Sequence, residues 1–150
     1  MKLEFKAKEV TEITGVSRER LQQWLTREYI VPSIQIADGA GTRNIYSVAD
    51  LCTIEVFKKL VESGWSRELV GKFMLKGAIS DEVLDKIPAY ILYMRRQNEM
   101  DAALITSEDG VINLAEKAKD LDLVGFDDCY ILNFRKIHNK VLNEVVKRIR

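Results

Sequence analysis

Cysteine, histidine and proline are nearly absent from this chain of 150 residues, which has two, one and two of them. Cys52 and Cys129 stand far apart in apolar stretches, which reads as two buried, reduced thiols rather than a disulfide framework. A zinc site needs Cys and His clustered at short spacing, and His138 has no neighbouring cysteine, so no metal is expected. Long hydrophobic runs are missing too. None approaches the roughly 18 residues that cross a bilayer, so no membrane partner is expected. The N-terminus, Met1-Lys2-Leu3-Glu4-Phe5-Lys6, interleaves charges where a signal peptide would be apolar, and the expected place is the cytoplasm. Excess charge of either sign is also lacking: 23 Lys and Arg face 23 Asp and Glu. Residues 1–77 hold 12 basic and 10 acidic side chains and the remainder 11 and 13. A nucleic-acid function must therefore rest on where the basic residues fall, not on their number.

Catalytic constellations are missing as well. His138 sits on a helical stretch among Asn and Lys with no Ser or Cys in register for nucleophilic catalysis. Asp127-Asp128 and Glu108-Asp109 read as turn and cap residues. Gly39-Ala40-Gly41 precedes no helix opening with Lys-Ser or Lys-Thr, so the phosphate-cradling motif is absent. No enzyme and no cofactor are expected.

What the chain does have is punctuation. Lys6 to Thr14 carries Val10 and Ile13 at helical spacing and stops at Gly15. Ser17 is placed to cap a second helix, Arg18 to about Glu28, with Val16, Leu21, Trp24 and Leu25 on its buried side. Pro32 ends the helical region. Ile34 and Ile36 alternate as a strand would, Asp38 to Thr42 supplies a turn, and Arg43-Asn44-Ile45-Tyr46 returns as a second strand. Ser47 caps a third helix with Leu51, Ile54, Val56, Phe57, Leu60 and Val61 as its apolar side. Ser66 caps a fourth, with Leu69, Val70, Phe73 and Met74, ending near Gly77.

In this order the first half resembles the MerR superfamily of winged helix-turn-helix transcription regulators. The matching residues are Glu9-Val10, Thr14-Gly15-Val16-Ser17, Leu21, Pro32, the Arg43 arm, Tyr46-Ser47 and Asp50-Leu51. Glu62-Ser63-Gly64-Trp65-Ser66 is similar to the family's link between third and fourth helices. Where the family often has Arg-Tyr-Tyr, this chain has Gln22-Gln23-Trp24, and Ser17-Arg18 with Trp24 is equally similar to phage excisionases. The resemblance implies a DNA-binding transcription regulator acting on double-stranded DNA as a homodimer, with an effector at the C-terminal part. The alternatives are a winged module that holds a protein partner without reading DNA, and an excisionase-like factor that bends DNA. In the family a long helix follows the fourth and makes the dimer; here Ala78 through Pro88 interrupts it.

A recognition helix contacts base edges from its N-terminal part. With Leu21 and Trp24 inward, Arg18, Glu19, Gln22 and Gln23 face outward and Arg20 lies on the flank. Arginine pairs bidentately with guanine and glutamine with adenine. The candidate DNA-binding residues are Ser17, Arg18, Arg20, Gln22, Gln23, Trp24, Arg43, Lys58 and Lys59. Arg43, Lys58 and Lys59 are cast as backbone or minor-groove contacts. Trp24 is foremost a core anchor with one polar donor.

The second half reads as strands over 89–94 and 102–106, a helix over Val111 to Leu121, a strand over 129–134 and a helix from Arg135 to about Ile149. A hairpin turning at Asp109-Gly110 is the rival for the middle helix. The closing helix, with Ile137, Val141, Leu142, Val145 and Ile149 as its buried set, is either the dimer element or packed on its own sheet. Tyr90, Tyr93, Phe126 and Tyr130 are candidates for a small-molecule pocket. The expectation is an α+β chain. A four-helix winged helix-turn-helix (1–77) and a linker (78–88) lead into a small α/β effector or dimerisation unit (89–150) with two or three strands and two helices.

Overall fold

Capping residues start the N-terminal helices where the sequence marks them. The computed structural model describes residues 3–75, 79, 81–105 and 125–149, with residues 81 and 82 described for their backbone only. A two-residue strand, β1 (Phe5–Lys6), leads into α1 (Ala7–Thr14). The Lys6 backbone N–H donates to Glu9 Oε2 at 2.9 Å, which satisfies an N-terminal donor of the helix. Gly15 ends α1 in the left-handed region at φ 73°, its N–H returning to the Thr11 carbonyl. Ser17 Oγ accepts from the Arg20 N–H at 3.2 Å and opens α2 (Arg18–Thr26). This helix stops two residues short of the expected end. Glu28 turns left-handed at φ 59°, and Tyr29 and Ile30 fold into the core behind it.

The arm after α2 differs from the expected hairpin. Its strand β2 (Ile45–Tyr46) pairs antiparallel with β1, Phe5 opposite Tyr46, while Ile34 to Ile36 supply only a bridge from Gln35 to Ile45. Side chains hold the arm instead. Gln35 Nε2 donates to the Arg43 carbonyl at 2.8 Å. The Ala37 N–H donates to Asn44 Oδ1 at 2.8 Å, and the Asp38 N–H to Thr42 Oγ at 2.6 Å. Ile36, 61% exposed, has no core to face, so local side-chain acceptors replace a ladder.

Helix α3 (Val48–Glu62) begins in a capping box between Ser47 and Asp50. Asp50 Oδ2 also accepts from the Ser33 N–H and Oγ, at 2.9 and 2.8 Å, fastening the loop after Pro32 to the helix start. Leu51, Ile54, Phe57 and Leu60 are fully buried. Trp24 meets the Phe57 ring edge-on at 4.6 Å, and Tyr29 stacks on it at 5.8 Å. In α4 (Arg67–Leu75), Gly71 lies so close to Tyr29 that an added Cβ would fall 2.4 Å from its ring.

The segment read as a linker contains α5 (Asp81–Lys86), and Ile79 and Val83 are buried in the main core. Beyond it, β3 (Tyr90–Arg96), β4 (Glu99–Ile105) and β5 (Asp128–Leu132) form an antiparallel sheet in the order β4-β3-β5. The expected turn over 95–99 shrinks to Gln97-Asn98, with Gln97 at φ 49°. Arg95 stays in the strand because Asp128, opposite it on β5, pairs with its guanidinium. The second strand consequently starts at Glu99 rather than Ala102. The helix expected over Val111 to Leu121 and its rival hairpin at Asp109-Gly110 lie outside the described residues.

Strand alternation divides the sheet's side chains. Ile91, Tyr93 and Leu132 join the core shared with the helices, while Leu92, Met94 and Ile105 cluster on the other face with Tyr90 and Phe126. Cys129, expected to be buried, is exposed on the outward phase of β5 beside Ile131; Cys52 is fully buried. Burial beside Glu55 pushes the Cys52 thiol up to about 12, so it stays protonated and unreactive.

Asn133 Oδ1 accepts from the Lys136 N–H at 3.0 Å, so the last helix, α6 (Phe134–Ile149), begins at Phe134 and the preceding strand ends at Leu132. Its buried side is Phe134, Ile137, His138, Val141 and Val145, and it packs against α3 and α1. Lys140 Nζ pairs with Glu55 at 2.8 Å, and Arg148 with Glu12 at 3.1 Å. Leu142, expected in that set, is half-buried because it lies at the edge of the buried stripe, and Ile149, at the last turn's end, is 53% exposed.

Candidate nucleic-acid interface

Leu21 and Trp24 anchor α2 to the core and fix its opposite side outward. Ser17, Arg18, Arg20, Gln22 and Gln23 are all exposed. Gln22 is only weakly held, donating to Thr26 Oγ at 3.4 Å. The side-chain ties of the arm bring Arg43 back toward the start of α2. Arg18 and Arg43 line one cleft of about 540 Å3, with Lys6 and Lys8 on its other wall and Thr42 and Asn44 at the arm. No carboxylate is among the residues that line it.

A second recess, of about 290 Å3, lies on the other flank of α2. Arg20, Lys58 and Arg67 line it, with Glu62 the one acid, and Trp24 forms part of the wall. The Trp24 indole N–H is buried with no acceptor among the described residues. Lys58 is already engaged, its Nζ donating to the Thr14 carbonyl at 3.1 Å and so bracing the C-terminal end of α1. Lys59 points elsewhere. One residue further around α3, it lines a recess with Tyr130, Lys136 and Lys140.

Sequence reasoning missed Lys6, Lys8, Asn44 and Arg67. The first two open α1, which reads as an ordinary helix start, and only the pairing of β1 with β2 carries that start to the arm. Several acids of residues 1–77 are occupied within the fold, although Glu62 lines the second recess. Asp50 caps α3, Glu9 caps α1, and Glu12 and Glu55 meet Arg148 and Lys140 of the last helix.

The four aromatic residues expected to line one ligand pocket do not converge. Tyr93 is fully buried and edge-on to Phe73 at 6.1 Å, and burial alone raises its phenol pKa. Tyr130 stands opposite it on β5, whereas Tyr90 and Phe126 belong to the far face of the sheet. The period of two along β3 separates position 90 from position 93. Among the described residues no His, Cys, Asp and Glu cluster suits a metal ion. No described helix is long and apolar enough to cross a membrane.

Two helices joined at a left-handed glycine, the second exposed along its polar side and flanked by a tied arm, define a winged helix-turn-helix domain. Residues 5–76 match the family model described as MerR HTH family regulatory protein, so the N-terminal half is a MerR-type helix-turn-helix domain. Similar stretches occur in uncharacterized HTH-type transcriptional regulators of Mycobacterium bovis and of two strains of Mycobacterium tuberculosis. Each is 33% identical over 55 residues, 37% of this chain and 24% of the relative. The likeness thus spans about a quarter of those relatives' length.

Proposed function

We propose that this chain is a sequence-specific DNA-binding transcription regulator of MerR type, without enzymatic activity, working in the cytoplasm where its DNA lies. The observation that carries the proposal is the cleft lined by Lys6, Lys8, Arg18 and Arg43, with no acidic residue in its lining. That cleft opens beside the N-terminal turn of α2, where a recognition helix meets base edges. In this reading Arg18, Gln22 and Gln23 read bases. Lys6, Lys8, Arg20, Arg43 and Arg67 hold phosphates, which positions the helix but carries no sequence information. Ser17 caps the helix, Trp24 seats it, and Lys58 braces the turn while lining the phosphate recess.

The reading includes a homodimer on two half-sites about one helical turn apart or a multiple of it. Exposed Val146 and Ile149 on α6 support a subunit contact there. Selection of bound sequences from random duplex DNA, at stated salt, tests the whole reading. The expected result is a motif of two related halves. Recovery of no motif would favour a protein-holding module instead. A motif with strong bending in a gel phasing assay would favour the excisionase-like role.

A further inference from the structure

The side of α3 turned away from the DNA clefts borders a recess of about 450 Å3, closed on its other sides by β5 and α6. Its size falls within the range of about 300–1,000 Å3 seen for small-molecule sites. Two features set its chemistry. Three ammonium groups border it: Lys59 from α3, and Lys136 and Lys140 from successive turns of α6. Against them stands one carboxylate, Glu55, 1% exposed and already matched by Lys140 at 2.8 Å. Lys59 and Lys136 have no ion-pair partner among the described residues, and Lys136 and Lys140 are exposed. Between the cations the wall is apolar, formed by Tyr130, Leu132 and Ile137. Tyr130, half-buried, leaves part of its ring to be covered there.

A neutral apolar ligand would leave two unpaired lysines at its rim, and an organic cation would face them directly. A small inorganic anion would leave the apolar wall wet. We propose that this recess binds an organic carboxylate with an apolar body, its head between Lys59 and Lys136 and its body on Tyr130, Leu132 and Ile137. Lys140 keeps Glu55 neutralised and so prevents that buried acid from repelling the ligand. The ligand would touch α3 and α6 at once, at a site apart from the DNA clefts, and its binding does not depend on the DNA reading. It also differs from the aromatic pocket expected from the sequence, of which Tyr130 alone borders this recess.

The test uses the full chain and three probes of one shape: 1-naphthoate, 1-naphthylmethylammonium and 1-naphthylmethanol. Amide shifts in 15N-labelled protein report where each binds, and titration reports affinity. The expected result is saturable binding of the carboxylate with shifts at Lys59, Leu132 and Ile137. The alcohol should bind at least ten-fold more weakly and the ammonium not at all. Lys136→Glu and Lys59→Gln should each weaken 1-naphthoate, the former at least ten-fold, while Lys147→Ala, on an exposed residue outside the recess, should leave it unchanged. Both variant sites lie at the rim, and an unchanged melting temperature verifies that each variant folds. Three results would each overturn the proposal: equal binding of the ammonium probe, carboxylate shifts confined to another surface, or no saturation at millimolar probe.

Discussion

Salt dependence puts the interface to its sharpest test, because each phosphate contact releases counterions that can be counted. Five side chains stand ready for the backbone without a competing base role: Lys6, Lys8 and Arg43 around one cleft, Arg20 and Arg67 around the other. With a slope of about −0.9 per phosphate, five contacts predict a log K against log salt slope of about −4.5 per protomer. Raising salt from 50 to 200 mM should then weaken binding about 500-fold per protomer. Arg43→Ala should flatten the slope by about 0.9, so the same salt step costs about 3.5-fold less, and Lys8→Ala should do the same. Lys59→Ala should leave the slope alone, because Lys59 lines the recess on the other side of α3. Arg18→Ala should behave differently, costing about 1–3 kcal/mol at one base position and relaxing preference there. Fluorescence anisotropy on a selected duplex at 50, 100 and 200 mM salt reads all of these. A slope near zero, or one changed by Lys59→Ala and indifferent to Arg43→Ala and Lys8→Ala, would refute the docking.

Four further predictions concern the scaffold. Lys140→Met strands the Glu55 carboxylate, 1% exposed, without its partner. Breaking a fully buried pair costs about 3–5 kcal/mol, and since Lys140 is half-exposed we expect about 2–3 kcal/mol in urea unfolding, partly recovered by adding Glu55→Gln. A Lys140→Met variant as stable as wild type would remove that pair from the account. Gly71→Ala forces a methyl group toward the Tyr29 ring, 2.4 Å from its Cδ1, and should cost about 1–3 kcal/mol, read as a lower melting temperature. Gly15→Ala meets only Lys58 Nζ at 3.9 Å, so its cost should be the left-handed backbone alone, about 1–2 kcal/mol. Burial holds the His138 pKa below its ordinary 6.5. The unfolded chain therefore takes up a proton that the folded chain refuses, and stability declines as pH falls from about 6.5 through the folded value. His138→Leu should remove that share of the decline, visible as a smaller difference between urea midpoints at neutral and mildly acidic pH.

The sequence by itself determined the helices of the first half and their turns. Gly15, Ser17 and Ser47 act locally: a residue that accepts positive φ, or a hydroxyl that satisfies a helix N–H, works whatever packs around it. The outward set Arg18, Gln22 and Gln23 was legible for the same reason, since helical periodicity with Leu21 and Trp24 inward leaves no other direction. What lay beyond reach depended on contacts between distant segments. The pairing of Phe5 with Tyr46 brings Lys6 and Lys8 to the Arg43 arm, and no local signal announces a partner 41 residues away. The separation of Lys58 from Lys59 follows from which neighbours α3 meets on each side. The packing of α6 on α1 and α3, with Arg148 on Glu12 and Lys140 on Glu55, cancels acids that composition alone sets against DNA binding. Charge counts are additive along a chain, but the field at a surface depends on which charges are already paired, and only the tertiary structure pairs them.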